Sequence, residues 1–445
     1  MNTPIWDFVR KYSARAPLRL HMPGHKGVSV TGAESLDITE IAGADSLFDA
    51  AGIIAESEAN ASRLFGAHTF YSTEGSSLAI RAMIHLACLH ARESGKKPLI
   101  AAAPNAHKTF LSAAALLDLE PLWLEGAGET YLSCPVTVEM LQNLFAKHPN
   151  VTAVYVTSPD YLGNLIDLAP LAEICHANGA LLLCDNAHGA YLKFLSPSLH
   201  PMDQGVDLCC DSAHKTLPVL TGGAYLHLNR NLPKSLVDQA KSALSLFAST
   251  SPSYLILQSL DLANSSCAEA FPSDLRKTVS RMEDLKETLR RQGFSLVGQE
   301  PLKITLAPKA YGYPGTEVEN FLRAGEIECE FADPDFVVMM FSPLTAPEAC
   351  KAVEERLKNL PRQSPVSENP PPCLPHEGIL SPRAAMLAPS EEVCVEEAAG
   401  RILASPSVGC PPAVPLLVCG QRIVPEDLPR FRYYGVDRVR VVKDA

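Results

Sequence analysis

A lysine stands just after an apolar run, where a buried strand is expected to end. The segment Asp211–Leu217 reads DSAHKTL, and the run Val206–Asp211 has the pattern of a buried strand. An ammonium group at that position loses hydration, so Lys215 is expected either to lose its charge or to use its amine covalently. Schiff-base formation with an aldehyde satisfies both demands. The alternative for this segment taken alone is a lysine whose ammonium group reaches solvent.

A carboxylate ends a second apolar run. Asp185 follows Leu181–Cys184, and a buried carboxylate requires a cationic or hydrogen-bonding partner. A protonated pyridine nitrogen is such a partner, and the ion pair makes the ring an electron sink. The alternative is an aspartate that caps a helix after the strand. Because Asp185 and Lys215 lie 30 residues apart on successive predicted strands, the pair favours chemistry with pyridoxal 5'-phosphate (PLP).

Hydroxyl groups and a glycine precede a long helical pattern. The segment Ser72–Ser77 reads STEGSS, and Ser76–Glu93 has apolar residues at helical spacing. Backbone N–H groups at a helix N-terminus bind phosphate well. Serine and glycine also open many helices simply as caps, so this segment indicates a phosphate site only together with Lys215 and Asp185.

Strand and helix patterns alternate between about residues 70 and 230. The predicted strands are Pro98–Ala103, Val151–Ser158, Ala180–Asp185, Val206–Asp211 and Ala224–Leu228, and the helices between them include Ser76–Glu93 and Leu168–Asn178. This alternation predicts an α/β fold with a mostly parallel sheet and helices on both faces. In such sheets ligands bind outside the carboxyl ends of the strands, which is where Asp185 and Lys215 lie.

The remainder of the chain changes in character. A smaller α+β region is predicted from strand Phe336–Phe341 and helices Gly315–Ala324 and Ala346–Leu360, and a proline-rich stretch follows. The expected organisation is an N-terminal arm at 1–45, a large PLP-binding domain at 46–290, a small α+β domain at 291–360, a proline-rich linker at 361–377 and a C-terminal domain at 378–445.

Composition limits the classes of function. The chain has 445 residues, 47% of them hydrophobic, and a formal net charge of −12, so binding to nucleic acid or to anionic lipid is not expected. Its 13 cysteines include no C-x-x-C pair, which predicts reduced thiols rather than disulfides or a metal site. We find no run typical of a signal peptide or a membrane span, and we therefore expect a cytoplasmic protein.

Six segments resemble, in the same order, the motifs of the ornithine/lysine/arginine decarboxylase family, a branch of the fold type I PLP enzymes. They are Leu20–Gly27 (LHMPGHKG), Ala106–Thr109 (AHKT), Thr157–Gly163 (TSPDYLG), Asp185–Gly189 (DNAHG), Ser212–Thr216 (SAHKT) and Ser249–Tyr254 (STSPSY). The tail, at Pro382-Arg383 and at 411–423, resembles the C-terminal domain of the family. The resemblance is to its short bacterial branch, which lacks an extra N-terminal domain.

The resemblance implies a role for each matching residue. Lys215 would form the Schiff base, Asp185 would contact the pyridinium nitrogen, and His107 would stack on the ring. The phosphate would be held by Ser76, Ser77, Ser212 and His214, while Ala187 would pack on the opposite ring face with His188 close by. Each histidine also has a purely structural alternative. His85, His90, His176 and His200 match no motif and are expected to be ordinary.

The resemblance also implies an assembly and a reaction. The minimum assembly is a homodimer, in which Ser249–Tyr254 and His21–Gly27 would reach the partner's pocket. The reaction would be α-decarboxylation of lysine, arginine or ornithine to the amine, as in polyamine metabolism. The alternatives are a PLP-dependent aminotransferase or lyase, because the same lysine and aspartate serve several PLP reactions, and a PLP-binding protein with little catalysis.

Several positions depart from the residues usual in the family. They are Glu74 for Asn, Asn186 for Glu, Phe48 for His, Ala413 for Gly, Cys419 for Pro and Gln421 for Glu. None is the Schiff-base lysine or its aspartate. Gln421 lacks the carboxylate that would recognise a second cationic group, so a shifted substrate is one expectation.

Overall fold

The computed structural model describes residues 1–124, 130–374, 376, 378–406 and 413–443. Two residues of the expected linker, Pro375 and Glu377, lie outside this range, as do 407–412 and 444–445 of the expected C-terminal domain. The helices are α1 Pro4–Ala14, α2 Ile53–Phe65, α3 Gly75–Glu93, α4 Lys108–Leu117, α5 Val138–Lys147, α6 Leu168–Ala177, α7 Ala213–Thr216, α8 Lys234–Asp238, α9 Ala240–Ser245, α10 Tyr254–Ala268, α11 Phe271–Arg291, α12 Gly315–Arg323, α13 Glu348–Lys358, α14 Pro382–Met386 and α15 Leu428–Tyr433.

The strands are β1 His68–Ser72, β2 Ile100–Ala102, β3 Leu122–Trp123, β4 Ala153–Thr157, β5 Leu181–Asp185, β6 Leu208–Asp211, β7 Ala224–Leu228, β8 Ser295–Val297, β9 Lys303–Ala307, β10 Phe331–Ala332, β11 Val337–Met340, β12 Ser390–Cys394 and β13 Arg438–Val442. The large sheet has the order β1-β7-β6-β5-β4-β2-β3, and smaller sheets have the orders β10-β11-β9-β8 and β12-β13. Strands β5 and β6 are parallel, with Asp185 opposite Cys210. Strand β7 is antiparallel to both β1 and β6.

The predicted strands of the large sheet are confirmed in position. Strand β7 coincides with its prediction, and the other strands are shorter than predicted. The apolar pattern continues beyond the hydrogen-bonded ladder: Val151 and Val206 are fully buried but precede β4 and β6. The predicted helices at α3, α6, α12 and α13 and the predicted strand at β11 are also confirmed.

The chain divides into two compact units. The first comprises Met1–Pro98, Thr152–Val154 and Leu168–Leu275. In it, α3 packs on β6 and β7, and its buried apolar side chains include Leu78, Met83 and Leu86, each contributing about 1.5–3 kcal/mol by burial. All residues of β5, β6 and β7 are buried. The carboxyl ends of β5 and β6 therefore emerge from a packed core that fixes the residues following them.

The second unit comprises Leu99–Val151, Tyr155–Asp167 and Arg276–Ala445. Its four-stranded sheet is antiparallel throughout. A separate apolar cluster, which includes Leu403, Ile423, Phe431 and Val441, lies beside the β12–β13 pair. The proline-rich stretch 361–374 contains no helix or strand. The proposed domain boundaries remain a prediction.

Within the part of the chain that the structure describes, no helix has the length and apolar character needed to cross a membrane.

Candidate active site

Asp185 is the last residue of β5, and its side chain is almost completely buried. Only 2% of the residue is exposed. One carboxylate oxygen, Oδ1, accepts the N–H of Ala187 at 3.1 Å, and the Cys210 thiol lies 3.6 Å from the same oxygen. Asp185 is not a helix cap, because the next helical turn, Ala190–Phe194, begins after Gly189. A carboxylate thus lies buried at the end of the strand.

Lys215 lies in the short helix α7, which follows β6. Its Nζ is 3.0 Å from Nε2 of His188, so the amine and the imidazole share a hydrogen bond. His188 itself is buried and lies three residues after Asp185. Two neighbouring parallel strands thus bring an amine and an imidazole into direct contact. A pair of this kind can exchange a proton, which neither side chain could do so readily in isolation.

His214 precedes Lys215 and is tied to the loop before β7. Its Nδ1 donates to the Gly223 carbonyl at 3.0 Å, and its backbone N–H donates to the same oxygen at 3.1 Å. Burial lowers the pKa of His214, and the nearby Lys215 charge lowers it further, against the opposing effect of the Gly223 hydrogen bond. The ring is therefore neutral at neutral pH. With the proton on Nδ1, Nε2 of the neutral ring is an acceptor, and binding of a phosphate by His214 stays a prediction.

Two serine hydroxyls meet at the start of α3. The Ser212 hydroxyl donates to the Ser76 hydroxyl at 2.7 Å. The turn before the helix is held by the N–H of Gly75, which donates to the Gly222 carbonyl at 2.7 Å. Gly75 has a φ of +70°, which glycine adopts without strain. Hydroxyl groups at the N-terminus of a 19-residue helix suit a phosphate.

Glu74, one of the departures from the family pattern, has a structural role of its own. Its Oε1 accepts the N–H of Ser249 at 2.7 Å. Ser249 begins the Ser249–Tyr254 motif, so this contact attaches the motif to the loop that opens α3. A residue that differs from the usual asparagine thus connects two motif segments.

Asp211 is the centre of a fully buried polar network that the sequence analysis did not identify. Its Oδ2 accepts from Nε2 of His200 and from Nε2 of His227, each at 3.0 Å, and its Oδ1 accepts from the Asn186 amide at 2.7 Å. Burial opposes ionisation of Asp211, but the facing imidazoles outweigh it and hold the pKa well below the ordinary range. Burial lowers the pKa of His227. We conclude that Asp211 is an ionised carboxylate in a fully buried site.

The network includes Asn186, the residue that follows Asp185 in the chain. Asn186 occupies the position where the family usually has Glu, and its amide reaches Asp211 because Gly189 leaves room. A Cβ at position 189 would lie 1.9 Å from the Asn186 Oδ1. His200 matches no motif of the family, so the sequence does not predict its place in this network. The signal that could have found the network is Asp211 itself, a second carboxylate at the end of a buried strand.

His107 lies in the second unit, where it precedes α4. Its Nδ1 accepts the backbone N–H of Thr109 at 3.2 Å and lies 2.9 Å from the Thr109 hydroxyl, so the ring caps the helix. The next residue, Lys108, donates its N–H to the Ala413 carbonyl at 2.9 Å. The structure therefore gives His107 a local role as a helix cap, and its stacking on a cofactor ring stays a prediction.

A comparison with known protein families matches the part of the chain that contains these site residues. The family model described as Orn/Lys/Arg decarboxylase, major domain, matches residues 3–304. The chain belongs to this family. By that membership it is an amino-acid decarboxylase, and its fold is that of the fold type I PLP enzymes.

Relatives of this decarboxylase match along nearly its whole length. An arginine decarboxylase of Bacillus subtilis (strain 168) is 29% identical over 460 residues, covering 96% of this chain and 92% of that protein. The uncharacterized protein YaaO of the same organism is 30% identical, covering 97% and 94%. The crystal structure of the Francisella novicida lysine decarboxylase LdcF superposes with a TM-score of 0.80 at 17% identity, covering 99% of this chain and 81% of that one.

The residues of the first unit fit PLP. The cofactor needs an amine for its aldehyde, a carboxylate for its ring nitrogen and donors for its phosphate. Lys215, the buried Asp185 and the Ser76–Ser212 hydroxyl pair have these properties. The aldehyde, the ring nitrogen and the phosphate of PLP would each find a group of the kind that it requires.

Proposed function

We propose that this decarboxylase removes the α-carboxyl group of a basic amino acid with the help of PLP. The observation that carries the proposal is the direct contact between Lys215 and His188, 3.0 Å apart, on segments that follow the adjacent strands β6 and β5. Strand β5 ends at the buried Asp185. An amine, a proton-exchanging imidazole and a buried carboxylate are the groups that α-decarboxylation requires from the protein.

We assign the cofactor contacts to the residues for which the family resemblance implies them. Lys215 would supply the amine that reacts with the cofactor aldehyde, and Asp185 would hold the pyridine nitrogen. The phosphate would be bound by Ser76, Ser77, Ser212 and His214, and the ring faces would be covered by Ala187 and His107. When bound, PLP supplies an electron sink for the charge left at Cα after carbon dioxide departs.

Proton transfer is assigned to the pair Lys215 and His188. A substrate that has lost its carboxylate must gain a proton at Cα, and this proton needs a donor within hydrogen-bonding reach. The 3.0 Å contact allows His188 to return a proton to the Lys215 amine after it has been used. Asp185 would hold the ring nitrogen of the cofactor, and the surrounding buried strands exclude water.

The choice of a basic substrate is supported by the relatives. Arginine is the first candidate, because relatives that cover more than nine tenths of this chain are named arginine decarboxylase. The net charge of −12 adds a weak long-range attraction for cations. We further propose a cytoplasmic homodimer whose shared pocket receives Ser249–Tyr254 and His21–Gly27 from the partner.

Product analysis tests the reaction. Purified protein with added PLP is incubated separately with arginine, lysine and ornithine, and carbon dioxide, amine and keto acid are measured. We expect equal amounts of carbon dioxide and amine from at least one substrate, and none from a Lys215→Ala variant. Accumulation of a keto acid without carbon dioxide would replace decarboxylation by transamination.

Mixed dimers test the shared pocket. Lys215→Ala subunits are combined with subunits carrying Ser253→Ala and Tyr254→Phe, two changes in the Ser249–Tyr254 segment. If each pocket uses residues of both chains, mixing restores part of the activity that either variant lacks alone. Activity that stays at the sum of the two separate variants would show that each chain contains a whole site.

A further inference from the structure

The second unit contains a cavity whose described polar lining residues include an arginine. Its volume is about 510 Å³. Apolar groups such as Trp123 and Leu416 form much of the wall, and the polar groups include Asn105, Gln421 and Arg430. Among the described residues that line it, none is an aspartate or a glutamate. A cavity of this size can hold a small organic molecule.

Asn105 is the first unusual feature of the cavity. The residue is 2% exposed, and neither its amide nitrogen nor its amide oxygen has a hydrogen-bond partner. Buried side-chain amides in folded proteins are almost always hydrogen-bonded, because an unmet donor and acceptor destabilise the fold. The unmet amide at the cavity wall therefore points to a ligand that completes its hydrogen bonds.

Arg430 is the second, independent feature. It lies in α15 and is 5% exposed, and its guanidinium donates one hydrogen bond, to the Leu416 carbonyl at 3.4 Å. Other buried cations in the described chain are better satisfied. Lys303 lies 3.7 Å from the Glu300 carboxylate, and Arg19 donates to three backbone carbonyls. A guanidinium with one long hydrogen bond and no ion pair to a carboxylate among the described residues is suited to an anion.

The Gln421 side chain adds a further donor. Its Oε1 accepts the N–H of Val418 at 3.0 Å, so the NH₂ end of the amide is the end that remains to donate. Gln421 stands where the family usually has a glutamate. In this chain the position is neutral, and the cation nearby in the lining is Arg430. Among the described lining residues, the charged group is therefore a cation.

We propose that this cavity binds an organic carboxylate with an apolar body. The carboxylate would pair with Arg430, the Asn105 amide would complete its hydrogen bonds with the ligand, and the apolar part would cover Trp123 and Leu416. An inorganic anion would leave the apolar wall exposed to water. An uncharged apolar molecule would leave Arg430 and Asn105 without hydrogen-bond partners in the cavity. The inference goes beyond the proposed decarboxylation and does not rest on it.

Trp123 allows binding to be measured directly. The chain has two tryptophans, Trp6 and Trp123, so Trp6→Phe leaves the cavity tryptophan as the single reporter. The full-length Trp6→Phe protein is titrated with 3-phenylpropionate and, separately, with the uncharged 3-phenylpropan-1-ol. We expect a saturable fluorescence change with the acid and an affinity about tenfold or more lower for the alcohol. Equal affinities for the two compounds, or no saturable change with the acid, would contradict the proposal.

Variants in the same background test the two polar residues. Arg430→Met should weaken binding of the acid by about tenfold or more, whereas the matched control Arg432→Met should not. Arg432 lies in the same helix, but it is exposed and pairs with Glu396 at 3.1 Å. Wild-type affinity in Arg430→Met would overturn the proposal.

The variant Asn105→Leu provides a second test of acid binding in case Arg430→Met does not fold. Leucine has nearly the shape of asparagine and removes both unmet polar atoms. We expect this variant to have a melting temperature equal to or above that of the parent, and to bind the acid more weakly. A lower melting temperature together with unchanged binding would show that Asn105 serves packing alone, and would contradict a ligand site.

Discussion

The amine nitrogen of Lys215 lies 3.0 Å from Nε2 of His188. The two residues follow neighbouring parallel strands, and His188 is separated by only three positions from the buried Asp185. The parallel pairing of β5 with β6 therefore brings an amine, an imidazole and a buried carboxylate onto neighbouring segments. Each proposed step of the chemistry depends on this register, and the following predictions test its parts.

Asp185→Asn should fold and bind PLP but lose most of its turnover. An uncharged amide cannot keep the ring nitrogen protonated, and the loss of such a charge-assisted contact costs about 2–3 kcal/mol or more in the chemical step. This corresponds to a fall in kcat of about 30-fold to 150-fold. The measurement is kcat with saturating PLP, beside the exposed control Asp238→Asn. Near-normal turnover would remove Asp185 from the mechanism.

Asp211→Asn should destabilise the fold. The carboxylate accepts from His200, His227 and Asn186, whereas an amide offers a single acceptor oxygen and places its own donor against an imidazole. We expect a loss of about 2 kcal/mol or more in the free energy of unfolding. Chemical denaturation measures it. Asp238→Asn, which alters an exposed pair with Lys234, should change the stability by less than about 1 kcal/mol.

The same variant has a defined pH dependence. The pKa of Asp211 is lower in the folded chain than in the unfolded chain, so its stabilising contribution is complete above about pH 4, the range of an unfolded aspartate. It is lost as the pH falls through the folded pKa. The gap in stability between wild type and Asp211→Asn should therefore stay constant from pH 6 to pH 8. A gap that closes within that interval would contradict this account of the network.

Asp333 should show the opposite behaviour. Burial raises the pKa of Asp333 to about 7, although the N–H groups of Asp335 and Phe336 act to lower it. Between about pH 4 and pH 7 the folded chain holds a proton that the unfolded chain has released, so this group's contribution to stability falls as the pH rises. Asp333→Asn should thus raise the melting temperature at pH 8 and leave it nearly unchanged at pH 4. Stabilisation of equal size at both values would show that ionisation is not the cause.

The sequence alone was enough to predict the site residues that follow a recognisable local pattern. Asp185 and Lys215 follow buried apolar runs, and the order of strands and helices predicts the parallel pairing of β5 with β6. The antiparallel position of β7 between β1 and β6 could not be predicted, because strand order is set by packing between distant segments. His200 and His227 were missed for the same reason, since their shared partner is Asp211 on another segment. The cavity containing Asn105 and Arg430 likewise brings together residues more than 300 positions apart.

The covalent position of the cofactor tests the central claim most directly. The protein is saturated with PLP, reduced with borohydride and digested, and the labelled peptide is identified by mass spectrometry. We predict that the reduced cofactor is on Lys215 and that Lys215→Ala carries no label under the same conditions. A label on a different lysine, or an equally labelled Lys215→Ala protein, would contradict the assignment of this site.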